Sequence, residues 1–183
     1  MDEIGPHWKG VLPDSYDQKH DTIRSNALWG SLLAGAGGVE WYFGWKYPHA
    51  DLNCEDFRSR ELWWEQSTIA TEFMKQFPLE EMKSTNELIN TKDGFCLSKP
   101  NELFLIYTPK SFVDLKLKLT DSKNTYLINW FNPRIGGSVS SGSIKEISGS
   151  GFIKIGRPPL EKEKDWIAVV KIKRFEKVIF NFL

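Results

Sequence analysis

Apolar residues recur along this chain in two rhythms. In the first part the rhythm is helical. Ile23, Ala27, Leu28 and the pair Leu32/Leu33 follow three-to-four spacing, as do Phe57, Leu62, Trp63, Ile69, Phe73, Met74 and Phe77. The first set predicts a helix that opens at Asp21, a residue with N-cap chemistry, and is stopped by Gly35, Gly37 and Gly38. The second predicts a long helix over 55–77. Between them Val39–Phe43, short, aromatic and bounded by Gly38 and Gly44, predicts a strand. Residues 1–20, with Gly5, Pro6, Gly10 and Pro13, and residues 44–54 predict loops.

From residue 86 the helical period disappears. Val113–Leu119 alternates strictly, as a half-buried strand does. Phe95–Leu97, Leu103–Tyr107, Thr125–Phe131, Gly151–Ile155, Asp165–Ile172 and Val178–Phe182 predict further strands. The Gly/Ser-rich stretch 136–151 predicts a hairpin with a long loop. The expected class is therefore α/β plus all-β: a helix-and-strand unit over 1–80, then an antiparallel β-sandwich over 86–183. The boundary falls at 78–86, just after Phe77-Pro78 ends the helical pattern. One strand between two helices has no ladder partner, so residues 1–77 read as the end of a larger layered domain.

Charge sharpens this division. The 183 residues carry 24 Lys+Arg and 24 Asp+Glu, but residues 1–85 hold 8 against 14 and residues 86–183 hold 16 against 10. All three His and six of the eight Trp lie within the first 64 residues. Zero net charge argues against a polybasic nucleic-acid binder, and no apolar run reaches the length of a membrane span. No signal-peptide pattern opens the chain. Cys54 and Cys96 make neither a disulfide framework nor a metal pattern, so no metal is expected. Gly35–Gly38 follows a helix and precedes the expected strand, the reverse of a phosphate loop, and no cofactor is expected.

Three stretches, DEIGPHWKGV (2–11), GVEWYFGWKYPHADLNCEDFRSRELWW (38–64) and WFNPRIGG with the later Asp165-Trp166, together resemble the C-terminal end of an apiosidase-like glycoside hydrolase. In that family a (β/α)8 barrel precedes a β-sandwich that carries a collagen-binding label. The resemblance covers the chain apart from its closing KRFEKVIFNFL. It implies a chain that begins at the end of the seventh barrel strand. Residues 21–37 would be helix seven, 38–43 strand eight and 55–77 helix eight, and six strands, the fourth included, would be absent.

Barrel enzymes place their chemistry at the C-terminal ends of the strands, and glycosidases use two carboxylates. The resemblance implies that Glu3 is the nucleophile; read without it, Glu3 is an exposed carboxylate near a terminus. Asp2 points the other way in an extended segment and has a supporting role at most. Glu40 and Trp41 lie on opposite faces of the expected strand. For Trp41, stacking on a sugar ring and packing in the core stand as equal readings. Trp45 and Tyr47, in the following loop, are further stacking candidates. His7, Trp8 and His49 sit on loops at the expected active face as substrate contacts, against a reading as solvated loop residues. Trp63 and Trp64 read as packing. Glu55, Asp56 and Arg58 read as first-turn charges without chemistry. Arg134 reads as part of a turn or as the partner of an acidic group across the β-unit. The positive excess of the second unit reads as docking onto the acidic first unit, with an acidic glycan as the other candidate.

Three functional readings follow. The first is a fragment of a glycoside hydrolase acting on a polysaccharide or oligosaccharide, inactive alone because the acid/base strand is missing. The second is a non-catalytic module in which residues 86–183 bind a polysaccharide or collagen-like matrix. The third is an assembly role, with a separate chain completing the barrel. The implied partner is a carbohydrate, with no nucleic acid and no membrane. The parent family is secreted or periplasmic, and a lost N-terminus accounts for the missing leader as well as a cytoplasmic origin does. Whether Met1 is the true start stays open.

Overall fold

A computed structural model describes residues 5–53, 56–110 and 114–174. The chain is a mixed α/β protein with few helices and a large antiparallel sheet. The first helical stretch runs as α1 (Asp21–Ile23), a π-helical segment (Arg24–Trp29) and α2 (Gly30–Leu33). It begins at Asp21, as expected, but the cap is the residue before it. His20, left-handed at φ 50°, is the N-cap, and its N–H donates to Asp17 Oδ1 at 2.9 Å. Asp21 is already helical and pairs instead with Arg24.

The second helix, α3 (Glu61–Met74), is entered through a 3-10 turn (Phe57–Arg60) capped by Asp56, whose Oδ1 accepts from the Arg58 N–H at 3.1 Å. Trp63, Gln66, Ala70, Phe73 and Met74 form its buried face. Phe57 departs from the expected pattern at 63% exposed, because it lies in the turn rather than on that face. Residues 39–43 form no strand. Among the described residues they lie beside the N-terminal loop through one backbone bond, Val11 N–H to Tyr42 O at 2.7 Å, and one contact of that kind does not build a ladder.

Eight strands follow among the described residues: β1 (Lys83–Ser84), β2 (Phe95–Lys99), β3 (Leu103–Thr108), β4 (Lys116–Leu119), β5 (Thr125–Phe131), β6 (Glu146–Ser148), β7 (Gly151–Lys154) and β8 (Trp166–Ile172). Six of them make one sheet in the order β1-β2-β3-β8-β5-β6, and β4 and β7 pair as a ribbon. The stretch 136–151 does hold a long-loop hairpin, in which β6 returns antiparallel to β5 in the large sheet, but the strand after it is not part of that hairpin: beyond Gly149 the chain crosses to pair β7 with β4. The expected strand Val178–Phe182 and the start of the one at Val113 lie outside the described residues. Among the described residues no helix is long and apolar enough to cross a membrane.

The large sheet is buried on both faces. Leu97, Leu105, Tyr107, Phe131 and Ile167 pack under Trp29, Leu33, Trp63 and Phe73 of the helical layer. On the other face Cys96, Phe104, Ile106, Ile128, Trp130 and Val170 meet Leu115, Leu117, Leu119 and Ile155 around the ribbon. Two-sided burial explains why β3 is apolar at every position but its last, whereas β4, covered on one side, alternates. Burial of Cys96 pushes its thiol up to about 11. The folded state therefore holds that proton while the unfolded thiol loses it near 9, so stability is full below pH 9 and declines as pH rises towards 11. In a Cys54→Ser background, Cys96 is expected to resist a thiol reagent at pH 8 until denaturant is added.

Candidate functional site

Two loops, the N-terminal one and 40–51, converge at the end of the helical layer, and polar groups tie them to each other and to α3. Asp51 closes the 43–51 loop: its carboxylate accepts from the N–H groups of Phe43 at 2.9 Å and Gly44 at 2.7 Å. Arg60, 1% exposed, reaches between the loops. Its Nε donates to the Val11 carbonyl at 2.7 Å and Nη1 to the His49 carbonyl at 2.9 Å, and the guanidinium lies 4.3 Å from the centre of the Phe43 ring. Asp14 links the N-terminal loop to α3 by accepting from the Leu62 N–H at 3.0 Å and pairing with buried His20 at 2.8 Å.

The closest backbone approach is at Gly10, where a Cβ would stand 1.7 Å from the Tyr42 carbonyl oxygen. Gly10→Val is expected to part the 5–12 and 40–51 loops and expose Val11. Proteolysis within 40–51 should become faster while the far-ultraviolet spectrum of the β-unit stays unchanged; equal proteolysis would refute this role for Gly10.

On this scaffold sits an aromatic surface. Lys46 Nζ is 4.8 Å from the Trp8 ring centre and 5.8 Å from that of Tyr47. Tyr16 meets Tyr47 edge-on at 4.9 Å, and the His7 and Trp45 rings are 6.4 Å apart. The Tyr42 hydroxyl donates to the His7 carbonyl. Trp45 is 56% exposed. His7, Trp8 and Trp45 are thus brought together, with Lys46, Tyr16 and Tyr47 beside them. His49 belongs to the same scaffold through its carbonyl, at a left-handed φ of 54°. Trp41 goes elsewhere: it packs edge-to-face on Trp63 at 4.6 Å and joins the helical-layer core. Glu40 is exposed. Glu3 and Asp2 lie outside the described residues.

Such a surface can stack on the apolar faces of a ring and donate hydrogen bonds from Lys46 and the imidazoles. Asp14 and Asp51 are committed to backbone donors, so neither is free to act as acid or base. No group of three or more His, Cys, Asp or Glu among the described residues is arranged to hold a metal ion. Arg60 and Asp51 carry no signal in the sequence, since Arg60 works through backbone groups of two other loops and Asp51 through backbone groups of its own.

A second polar cluster joins the helical layer to the sheet. Asp165, 3% exposed, pairs with Arg24 and lies 3.0 Å from Arg134 Nη1; it also accepts from the Tyr107 hydroxyl at 3.2 Å. Arg134 further pairs with Glu161. Burial alone would lower the Arg24 guanidinium, but Asp165 and Asp21 outweigh it and hold it above its usual value. Burial and the charge of Asp165 push the Tyr107 hydroxyl up. The buried charge contact between the units thus has the opposite polarity to the net charges, a cation from the acidic part on an anion from the basic part. Glu81–Lys99 at 2.8 Å runs in the expected sense, at the surface.

No family model matches the chain, and no curated protein matches it by sequence. Among solved structures it is similar to one described as a glycoside hydrolase, with a TM-score of 0.61 and 13% identity over 84% of this chain and 37% of that one. It is likewise similar to a glycoside hydrolase of family 5 from Bacteroides vulgatus ATCC 8482, with a TM-score of 0.57 and 14% identity over 83% of this chain and 36% of that one. At such identities the likeness is one of fold. This chain spans little more than a third of the length of either structure.

Proposed function

We propose that this chain is the C-terminal portion of a carbohydrate-active enzyme of the glycoside hydrolase type, the end of a (β/α)8 barrel joined to an antiparallel β-unit. The observation that carries this reading is the fold similarity to two glycoside hydrolases, which takes in more than four-fifths of this chain, helical layer and sheet together. On this reading the helix over 21–33 and α3 are the last two barrel helices, 38–43, which forms no strand here, is the stretch that becomes the last strand of a complete barrel, and the aromatic surface around Trp8, Trp45 and Tyr47 lines the sugar cleft. The apiosidase-like resemblance adds Glu3 as nucleophile and places the acid/base on a strand this chain does not contain.

Retaining hydrolysis needs both carboxylates, one attacking the anomeric carbon and one protonating the leaving oxygen. The isolated chain is therefore expected to leave aryl glycosides intact, with Glu3→Gln indistinguishable from the parent. Release of nitrophenol that is lost on Glu3→Gln would overturn the fragment reading.

The binding-module reading has its own support in the apolar side chains the β-unit leaves in solvent, among them Ile135 at 75%, Leu160 at 68% and Phe152 at 49% exposed. It predicts saturable retention of the full chain on an insoluble polysaccharide or on collagen, weakened by Phe152→Ser.

A further inference from the structure

We infer that the β-unit carries a site for an acidic saccharide, formed by Arg157 and Lys162 with the hydroxyls of Ser141 and Ser143. The saccharide half of this assignment rests on the carbohydrate reading above; the anionic half rests on the pocket alone. These residues line a hollow of about 560 Å³ together with Gly142 and the paired prolines 158 and 159.

The walls of this hollow are held in place. The Ser143 N–H donates to the Arg157 carbonyl at 3.0 Å, and the Arg157 N–H donates back to Ser143 Oγ at 2.8 Å. Pro158 is buried and Pro159 half-buried, which gives a rigid apolar floor. Gly142 lies so close to the interior that a Cβ there would stand 2.4 Å from Trp130 Nε1 and 2.3 Å from the Arg157 carbonyl oxygen. That indole nitrogen, buried behind Gly142, has no hydrogen-bond partner among the described residues.

Charge accounting points to an anion. The nearby carboxylates are already neutralised: Asp165 by Arg24 and Arg134, Glu161 by Arg134. Glu161 adopts a left-handed φ of 38°, and its carbonyl accepts from the Trp166 indole N–H at 3.3 Å. Strain of this kind in a non-glycine residue gathers at functional sites. Here it accompanies a turn that commits the Glu161 carboxylate to Arg134 and leaves Lys162 lining the hollow. Among the described residues neither Arg157 nor Lys162 enters an ion pair, and Glu163 is exposed and does not line the hollow. Two free cations beside two hydroxyls suit a carboxylate or sulfate, and the proline floor suits the apolar face of the ring that bears it.

The test is an amide and indole nitrogen NMR titration of the full chain with tetragalacturonate, with neutral galactotetraose and inorganic sulfate as parallel arms. Tetragalacturonate is expected to shift the Ser143 and Arg157 amides and the Trp130 indole signal saturably. Arg157→Gln with Lys162→Gln should raise Kd by about tenfold or more while the remaining spectrum stays superimposable. Absence of a saturable shift with tetragalacturonate, or equal affinity in the double variant, overturns the site. Equal binding of galactotetraose overturns the anionic requirement but leaves the carbohydrate reading standing. Binding of sulfate without tetragalacturonate overturns the saccharide assignment and marks the hollow as a simple anion site. The hydrolase reading fails separately, on the aryl glycoside assay.

Discussion

Asp165→Ala is expected to lower the unfolding free energy by about 3–5 kcal/mol, the range found when one partner of a buried ion pair is removed. The carboxylate, 3% exposed, receives two guanidinium groups and a phenol hydroxyl. Without it, Arg24, equally buried, keeps only Asp21, whose side chain is about half exposed. Most of the loss would come from that uncompensated cation rather than from the missing bonds. Asp165→Asn retains the shape and loses the charge, so it should fall between parent and Ala. Pairing Asp165→Leu with Arg24→Met removes both charges and should cost less than Asp165→Ala alone. Urea unfolding of the four proteins settles the matter, and a cost under about 1 kcal/mol for Asp165→Ala would show that water reaches the cluster.

A cost of similar size, about 3–5 kcal/mol, is expected for Trp29→Ala. Trp29 is fully buried where the helical layer meets the sheet. Its ring meets Phe73 at 5.8 Å and Phe131 at 6.0 Å, both edge-on, and its indole N–H donates to the Pro133 carbonyl at 3.2 Å. Those partners belong to α3, β5 and the loop after β5, so truncation opens a cavity bounded by three segments. Trp29→Phe keeps most of the volume and should recover more than half of the loss. Because the cavity lies between the layers, Trp29→Ala should also raise amide exchange in the 21–33 helix more than in β3. Uniform exchange would mean that the layers unfold as one unit.

Much of the β-unit was legible because its strands carry strong local patterns: the apolar run of β3 and the alternation of β4 both state how many faces are covered. Strands β1 and β6 escaped notice because two or three residues, Lys83-Ser84 or Glu146-Ile147-Ser148, are too few to show a period. The exchange of partners at Gly149 was likewise hidden, since a turn signal says that the chain bends but not which strand it joins. At the candidate site the aromatic loops were readable from composition, whereas Arg60 was not, because a buried arginine bonding to carbonyls has the same sequence signature as a surface one. Arg134 was readable as the partner of an acidic group, but the polarity of the Arg24–Asp165 contact was not, since net charge averages over the few groups that are desolvated. Trp41 shows the limit of reading a single side chain: its place against Trp63 depends on a helix twenty residues further along.

The order of strands in the large sheet also governs when this chain can fold. β8 is the last strand among the described residues, yet it lies between β3 and β5 and pairs with both. Until residues 166–172 have been synthesised, β1-β2-β3 and β5-β6 are separate fragments, each with an open edge, and the underside of the helical layer has only part of its sheet to rest on. Folding must therefore wait for nearly the whole described chain, and a nascent or prematurely ended polypeptide would present unpaired strands and the aromatic underside of Trp29 and Phe73 to its neighbours, the circumstances in which aggregation competes with folding.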